Sequence, residues 1–120
     1  MARFGHEYET TTGLNWVYGN IHPIKPANPK LKIPHMGWND LVITGHHPVL
    51  AGLKTGDHVY FVHSYQFEVE QAAQRLAHVD YAGEITAIIS SGTCIGTQFH
   101  PEKSQRNGLQ LISNFLSWRP

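Results

Sequence analysis

The stretch Gly96-Thr97-Gln98-Phe99-His100-Pro101-Glu102-Lys103-Ser104 decides how the rest of the chain is interpreted. Its first half is short and β-leaning, so it predicts the carboxyl end of a strand. Pro101 fixes its own φ and favours an extended backbone at His100, which makes the motif a rigid corner. Because residues i and i+2 of an extended segment point to the same side, we expect the side chains of His100 and Glu102 to approach each other.

A carboxylate beside an imidazole is chemically informative. The carboxylate holds one tautomer of the ring and stabilises the imidazolium, which is the base-and-orienter arrangement of nucleophilic catalysis. The plain alternative for any His-Pro-Glu sequence is a surface corner with two polar residues. The position at the end of a predicted strand favours catalysis, because open α/β sheets place their chemistry there.

The composition of the chain limits the classes of function. Its 120 residues are enough for one small domain with a buried core. The formal net charge is zero and only 15% of the residues are charged, which argues against a nucleic-acid or anionic-membrane partner. No apolar run reaches the roughly 18 residues of a membrane span, and the first residues do not form a signal-peptide pattern.

The cysteine and histidine content bears on redox chemistry and metals. One cysteine rules out a disulfide within the chain, so we expect a reducing, cytoplasmic compartment. Nine histidines raise the alternative of a metal site, with His35, His46 and His47 in predicted loops. No H-E-x-x-H pattern or paired-cysteine spacing supports a metal site, so we expect most histidines to be surface or structural residues.

The first half of the chain has few regular patterns. Residues 1–4 look like the last turn of a helix, and residues 6–15 like a polar loop. Residues 14–21 are β-leaning, and the prolines of residues 23–32 predict an extended, irregular connection. Residues 33–40 lead into a predicted strand at 41–43.

The second half begins with residues 46–56, which predict a loop with several turns. Residues 58–65 are almost continuously apolar and aromatic, which predicts a strand buried on both faces. Residues 71–76 fit either a short helical turn or an extension of that strand.

The residues around the His-Pro-Glu corner predict a hairpin and a helix. Two β runs, 84–89 and 94–99, are joined by Ser90-Ser91-Gly92-Thr93, a spacing typical of a β-hairpin. Ser104 is the expected N-cap of a final helix. The apolar residues of that helix recur at helical spacing and form a stripe of Leu109, Leu111, Ile112, Phe115 and Leu116.

Gly92-Thr93-Cys94-Ile95-Gly96 matches the G-x-C-x-G pattern of a nucleophile elbow, but its context does not fit. An elbow is followed by a helix, whereas Cys94 is followed by more predicted strand. At about 3.3 Å per residue, an extended strand separates Cys94 from His100 by roughly 20 Å, far beyond the reach of a base. We therefore expect Cys94 to have no catalytic role.

Four motifs occur together and in order: Pro34-His35-Met36-Gly37-Trp38-Asn39, Tyr60-Phe61-Val62-His63-Ser64-Tyr65, Tyr81-Ala82-Gly83-Glu84 and the corner itself. With these motifs the chain resembles class I glutamine amidotransferases over essentially all of its length. Lys103-Ser104 and the Pro34 motif point to the glutaminase subunit of imidazole glycerol phosphate synthase rather than to the anthranilate, GMP or carbamoyl-phosphate relatives.

This resemblance implies an α/β fold, namely the C-terminal part of the family's three-layer domain, strand-rich and with a C-terminal helix. Residues 1–120 are then a single partial domain. In that family the catalytic cysteine lies on an elbow in the N-terminal half, and residues 1–4 resemble the helix that leaves this elbow. We therefore expect the chain to begin after the nucleophile and to be inactive alone.

The resemblance also implies roles for individual residues. His100 is the expected general base toward the cysteine, and Glu102 is expected to orient it. His63, Ser64 and Tyr65 are expected at the glutamine site, where the backbone amides of Ser64 and Tyr65 hold the substrate carboxylate.

A further set is expected to face a partner, the (βα)8-barrel synthase subunit, at the place where ammonia crosses. Its members are Trp38, Asn39, Tyr60 and Lys103. Aromatic core is the alternative for Trp38 and Tyr60, and a solvated charge is the alternative for Lys103.

The implied reaction is acyl transfer in histidine biosynthesis. The cysteine thiolate attacks the amide of L-glutamine, ammonia leaves with a proton from His100, and water hydrolyses the thioester to glutamate. No metal or organic cofactor is expected. The alternative of a different class is a non-catalytic half-domain that only docks on the synthase subunit.

Overall fold

The computed structural model describes all 120 residues, as ten strands, three short 3-10 helices and one α-helix. The strands are β1 Phe4–Glu7, β2 Glu9–Thr12, β3 Gly19–Pro23, β4 His35–Asp40, β5 Val42–Ile43, β6 His58–His63, β7 Tyr65–Val69, β8 Arg75–Asp80, β9 Glu84–Ser91 and β10 Cys94–Thr97. The helix α1 spans Gln105–Ser117, and the 3-10 helices span Pro48–Leu50, Ala72–Gln74 and Pro101–Lys103. The predicted class, strand-rich α/β with a C-terminal helix, is confirmed.

The strands form three sheets. Two have four strands, in the orders β2-β1-β3-β7 and β10-β9-β8-β5, and the third is the pair β4-β6. All neighbours are antiparallel except β1 and β3. The strand predicted at residues 58–65 is divided at Ser64, where the chain leaves the β4-β6 pair and enters the sheet of β7.

The prediction that residues 58–65 are buried on both faces is wrong. Val59, Phe61 and His63 are buried, whereas His58 is exposed and Tyr60 and Val62 are half-buried. This period of two shows that β6 covers the core with one face only. The apolar residues of its other face are therefore available for contacts outside the chain.

A cluster of fourteen buried apolar residues forms the main core. Phe61 of β6 lies at its centre and meets the ring of Phe99 edge to face, with 5.8 Å between the ring centroids. Phe99 is 3% exposed and directly precedes His100. Burial of one aromatic ring is worth about 1.5–3 kcal/mol, so the core anchors the predicted corner.

The N-terminal predictions need correction. Residues 1–4 do not end a helix, and the predicted loop at 6–15 is confirmed only for residues 13–15, because β1 and β2 form a hairpin with Phe4 opposite Thr12. Tyr8 makes the turn with φ of 62°. The three threonines of residues 10–12 favour the pleated strand, since β-branched side chains pack well there. The β-leaning residues 14–21 form a strand only from Gly19 onward.

The predicted hairpin is confirmed, since Cys94 pairs with Ser91 and Gly92 turns the chain with φ of 56°. Residues 71–76 confirm the predicted helical turn, a 3-10 helix at Ala72–Gln74, whereas the alternative of an extended preceding strand is wrong because β7 ends at Val69 and a new strand, β8, begins at Arg75. Residues 24–34, which include most of the predicted irregular connection, form neither helix nor strand. Strand β4 begins at His35, earlier than predicted.

The final helix is confirmed, but its predicted stripe is mostly uncovered. Leu111 is 5% exposed, whereas Leu109 is 65% and Leu116 is 78% exposed. Only one turn of the stripe therefore meets the core, and Phe115 is also exposed. No helix of the protein has the length and apolar character needed to cross a membrane.

We predict that Leu111→Ala lowers the free energy of unfolding by about 2–5 kcal/mol, because it leaves a cavity in the core. The matched change Leu116→Ala is expected to cost less than about 0.5 kcal/mol, since that side chain is already in solvent. Urea unfolding of the two variants beside the parent chain checks both values. Equal losses would contradict the burial pattern of α1.

Candidate active site

The corner after β10 is held against the middle of β6. The His100 N–H donates to the carbonyl of Tyr60 at 3.0 Å. Ser104 makes two further bonds, because its Oγ accepts from the Tyr60 N–H at 2.9 Å and donates to the His100 carbonyl at 2.7 Å. We call these three hydrogen bonds the Ser104 clamp. They fix the backbone of His100 relative to β6.

This arrangement corrects the role predicted for Ser104. Ser104 lies at the N-cap position of α1, but its side chain makes no capping hydrogen bond because the clamp uses it. The helix is seated by close packing instead: a Cβ on Gly108 would lie 1.7 Å from the carbonyl oxygen of Pro101. Only glycine allows this approach.

The predicted contact of His100 with Glu102 is present, with 2.8 Å between Nδ1 and Oε1. The route differs from the prediction, because Glu102 lies in the 3-10 turn Pro101–Lys103 and only His100 is extended. An ionised carboxylate only accepts, so Nδ1 carries a hydrogen and Nε2 of the neutral ring is free to act as a base. The side chains of His100 and Glu102 are 38% and 60% exposed, so Nε2 is accessible.

The hydrogen bond from His100 holds the pKa of the Glu102 carboxyl below its usual range, and the Glu102 backbone and the nearby charges add to this effect. Glu102 is therefore ionised at neutral pH. An ionised partner stabilises the imidazolium that forms when His100 takes a proton.

His63 lies in a different environment from the one its predicted substrate contact suggests. Its ring is 8% exposed and is held between two groups of the chain, with Nε2 2.7 Å from Nδ1 of His35 and Nδ1 2.9 Å from the carbonyl oxygen of Tyr65. Both ring nitrogens of His63 are thus occupied by groups of the chain. His35, predicted in a loop, lies in strand β4 instead. His35 and Asn39 lie on the same side of this strand, and their polar character is the sequence signal for an inward-facing polar face.

Burial lowers the pKa of both rings. The pKa of His35 falls to about 4, through burial first and then through the charge of His63. The pKa of His63 is lowered by burial against the opposing effect of the Tyr65 carbonyl. Both rings are consequently neutral at pH 7.

Ser64 presents a backbone donor at the bend between β6 and β7. Its carbonyl accepts from the Ile24 N–H at 2.9 Å, but its own N–H donates to no acceptor in the chain. Ser64 is half-buried rather than enclosed in the core, and its N–H remains unpaired within the chain. An unpartnered N–H at a bend is suited to binding a carboxylate, because it gains a charge-assisted hydrogen bond.

The outer face of β4 and β6 carries part of the predicted partner surface. Trp38 lies opposite Tyr60 with the rings edge to face at 5.9 Å. Trp38 is 49% exposed, so the core alternative is wrong for this residue. A cavity of about 490 Å³ joins Trp38 to Ser104 and the start of α1. Trp38 and Tyr60 together with Met36 and Val62 form what we call the outer face.

Asn39 and Lys103 are placed differently. The Asn39 amide donates to the Asp80 carbonyl at 3.0 Å and lies 3.4 Å from Nε2 of His35, so it points away from Trp38 and into the chain. Lys103 is exposed on the corner, beside Glu102. The structure therefore does not bring Asn39 onto the outer face.

Cys94 lies at the turn end of β10 and is followed by strand, as the sequence indicates. The extended run to Thr97 keeps it about 10 Å from the far end of that strand, where the corner begins.

No three or more of the histidine, cysteine, aspartate and glutamate side chains form a group that could hold a metal ion. An apolar cavity of about 410 Å³ lies between the N-terminal hairpin and β9-β10, and its lining extends to Gln98 but does not include His100.

Comparisons with known proteins agree with the motifs. The model of the family "glutamine amidotransferase class-I" matches residues 4–118. A relative from Cereibacter sphaeroides, named imidazole glycerol phosphate synthase subunit HisH, is 58% identical over all 120 residues, which are 57% of its own length. A relative of the same name from Ruegeria pomeroyi is 59% identical with the same coverage, and one from Azospirillum brasilense is 54% identical over 119 residues, 62% of its length. The chain thus spans somewhat more than half the length of these relatives.

We predict that the fold loses stability as the pH falls from about 6.5 toward 4. The folded pKa of His35 is about 4 and that of the unfolded residue is 6.5. Between these values the unfolded state binds more protons, so acid favours unfolding. His35→Phe is expected to reduce this loss between about pH 7.5 and 4.5, measured by urea unfolding at each pH.

His46→Asn is the control, because His46 is exposed. It is expected to keep the pH dependence of the parent. An identical pH dependence for the parent and His35→Phe would contradict the assignment.

Proposed function

Because the chain belongs to the glutamine amidotransferase class-I family, we propose that residues 1–120 contribute the base, its orienter and a substrate-binding bend to a glutamine-hydrolysing site. The pair of His100 and Glu102 carries this proposal, since it combines a 2.8 Å hydrogen bond with an accessible Nε2. These residues then act as one part of an amidotransferase domain.

The reaction proposed is acyl transfer from glutamine to a thiolate. His100 Nε2 takes the proton of the thiol, the thiolate sulfur forms a bond to the amide carbon, and the same proton passes to the departing ammonia. His100 then removes a proton from water, whose oxygen forms a bond to the thioester carbon. The C–S bond breaks, glutamate leaves, and the thiolate takes the proton back from His100. Glu102 stabilises each imidazolium, and neither a metal nor an organic cofactor takes part.

The nucleophile in this proposal is not Cys94. That residue is the one cysteine among the 120, and it lies at a hairpin turn rather than on an elbow before a helix. The thiolate is therefore assigned to a segment other than the residues described here. The free Ser64 N–H and the adjacent Tyr65 amide are assigned to the α-carboxylate of glutamine.

The partner proposed is the synthase subunit implied by the relatives' name, imidazole glycerol phosphate synthase subunit HisH. The exposed ring of Trp38, the half-buried ring of Tyr60 and the exposed Lys103 of the corner are assigned to this contact. Ammonia would then cross from the corner to a (βα)8-barrel partner in a cytoplasmic heterodimer of histidine biosynthesis. Asn39 is assigned to this interface only indirectly, through strand β4.

The catalytic proposal is tested in a hybrid in which residues 1–120 replace the matching part of the Cereibacter sphaeroides relative. We predict that the hybrid hydrolyses glutamine and that His100→Ala lowers kcat about 10²–10⁴-fold, as loss of a general base does. Cys94→Ser is the matched control and should leave kcat unchanged. Steady-state release of glutamate and ammonia measures both.

Full activity of the His100→Ala hybrid would contradict the assignment of the base. Loss of activity in Cys94→Ser would show that the exclusion of Cys94 is wrong. An inactive wild-type hybrid that still binds the synthase subunit would favour the alternative of a non-catalytic docking module.

The partner proposal predicts that Trp38→Ala in the hybrid weakens binding to the synthase subunit of the same organism about 30-fold. A buried aromatic anchor at an interface is worth about 2 kcal/mol, which gives this factor. Leu116→Ala removes an exposed apolar side chain on α1 and should leave Kd unchanged. Titration calorimetry compares the two, and an unchanged Kd for Trp38→Ala would place the interface elsewhere.

A further inference from the structure

The proposed mechanism leaves one buried polar cluster without a role, the pair of His35 and His63. The two residues are 3% and 8% exposed. The His35 ring stacks with two aromatic rings, that of Phe61 at 4.8 Å and that of Tyr81 at 4.1 Å between centroids. Two neutral imidazoles in a core are costly to bury unless their nitrogens are hydrogen-bonded.

The hydrogen-bond contacts determine which ring nitrogen of His63 and of His35 carries the hydrogen. The Tyr65 carbonyl only accepts, so Nδ1 of His63 carries a hydrogen and donates to it at 2.9 Å. Nε2 of the neutral His63 ring must then accept, which makes Nδ1 of His35 the donor across 2.7 Å. Nε2 of His35 is left as an acceptor facing the Asn39 amide. All of these hydrogen bonds therefore donate in the same direction, from β4 through β6 to the start of β7.

This chain of hydrogen bonds ends at the bend of Ser64. The bond from His63 to Tyr65 spans that residue, and the bond from the Ile24 N–H holds its carbonyl. The bend is therefore fixed on both sides, while the Ser64 N–H between them has no partner in the chain. A donor fixed before the ligand arrives needs no reorganisation when it binds.

We infer that His35 and His63 are positioning residues, which hold the Ser64 N–H in the orientation that receives the α-carboxylate of glutamine. His35 acts through His63 and touches no substrate. This inference rests on the proposed function. Burial, which lowers the pKa of both rings, keeps them neutral and so preserves the direction of donation.

Two substitutions of His35 separate hydrogen bonding from packing. His35→Phe keeps an aromatic ring between Phe61 and Tyr81 but removes the donor to His63. His35→Asn removes the ring but keeps an N–H near the position of Nδ1. His35→Phe thus keeps the packing and loses the hydrogen bond, whereas His35→Asn loses the packing and keeps the hydrogen bond.

In the full-length hybrid we expect His35→Phe to raise the KM for glutamine about tenfold, the effect of losing one hydrogen bond to a charged group, with kcat within about twofold. His35→Asn is expected to keep KM within about threefold of the parent. L-glutaminamide, in which a neutral amide replaces the α-carboxylate, should show no difference between the parent and His35→Phe. ¹⁵N NMR of the ring nitrogens should show hydrogen on Nδ1 of both histidines.

A KM that rises equally in both variants, or more in His35→Asn, would assign the pair to packing and overturn the inference. The same holds for an Nε2-protonated His63. A wild-type hybrid without glutaminase activity would remove the proposed function and the positioning role with it, whereas an active hybrid in which His35→Phe leaves KM unchanged would overturn the positioning role alone.

Discussion

The Ser104 clamp is the interaction on which the candidate site depends. A single hydroxyl, 1% exposed, accepts from the Tyr60 N–H and donates to the His100 carbonyl, while the His100 N–H returns to Tyr60. The clamp joins a corner that is distant in sequence to the middle of β6. Because Phe99 and Gly108 fix the corner from the core and from α1, His100 has little backbone freedom, and its exposed ring is directed by Glu102 alone.

Strand β6 contributes to two different histidine environments, because it contacts the backbone of His100 and ends at His63. His100 is accessible and hydrogen-bonded to a carboxylate, an arrangement that stabilises a charged ring. His63 is buried against another neutral ring, an arrangement that opposes charge. Strand β6 thus holds the segment of His100, which is suited to proton transfer, and itself carries His63, which is suited to fixing the local structure. The bend at Ser64 follows His63 directly.

The sequence predicted the corner, the hairpin and the final helix because each depends on local rules, such as the fixed φ of Pro101 and the turn at Gly92. The contact of His100 with Glu102 was predicted, but through an extended backbone, whereas Glu102 reaches the ring from a 3-10 turn. The inward role of His63 and the importance of His35 were not predicted, because both depend on the register of β4 against β6, which pairs residues 28 positions apart. The apolar stripe of α1 shows the opposite failure: periodicity indicates an amphipathic helix but does not say how much of its apolar face the rest of the chain covers.

Amide hydrogen exchange at Tyr60 tests the Ser104 clamp most directly. In Ser104→Ala the Tyr60 N–H loses its acceptor, and we expect its exchange to accelerate at least about tenfold, since one buried hydrogen bond is worth about 1–3 kcal/mol when its partner is removed. Ser113→Ala, an exposed serine of the same helix, should leave that rate unchanged. Equal exchange of the Tyr60 amide in the two variants would contradict the clamp and the fixed position of His100 that depends on it.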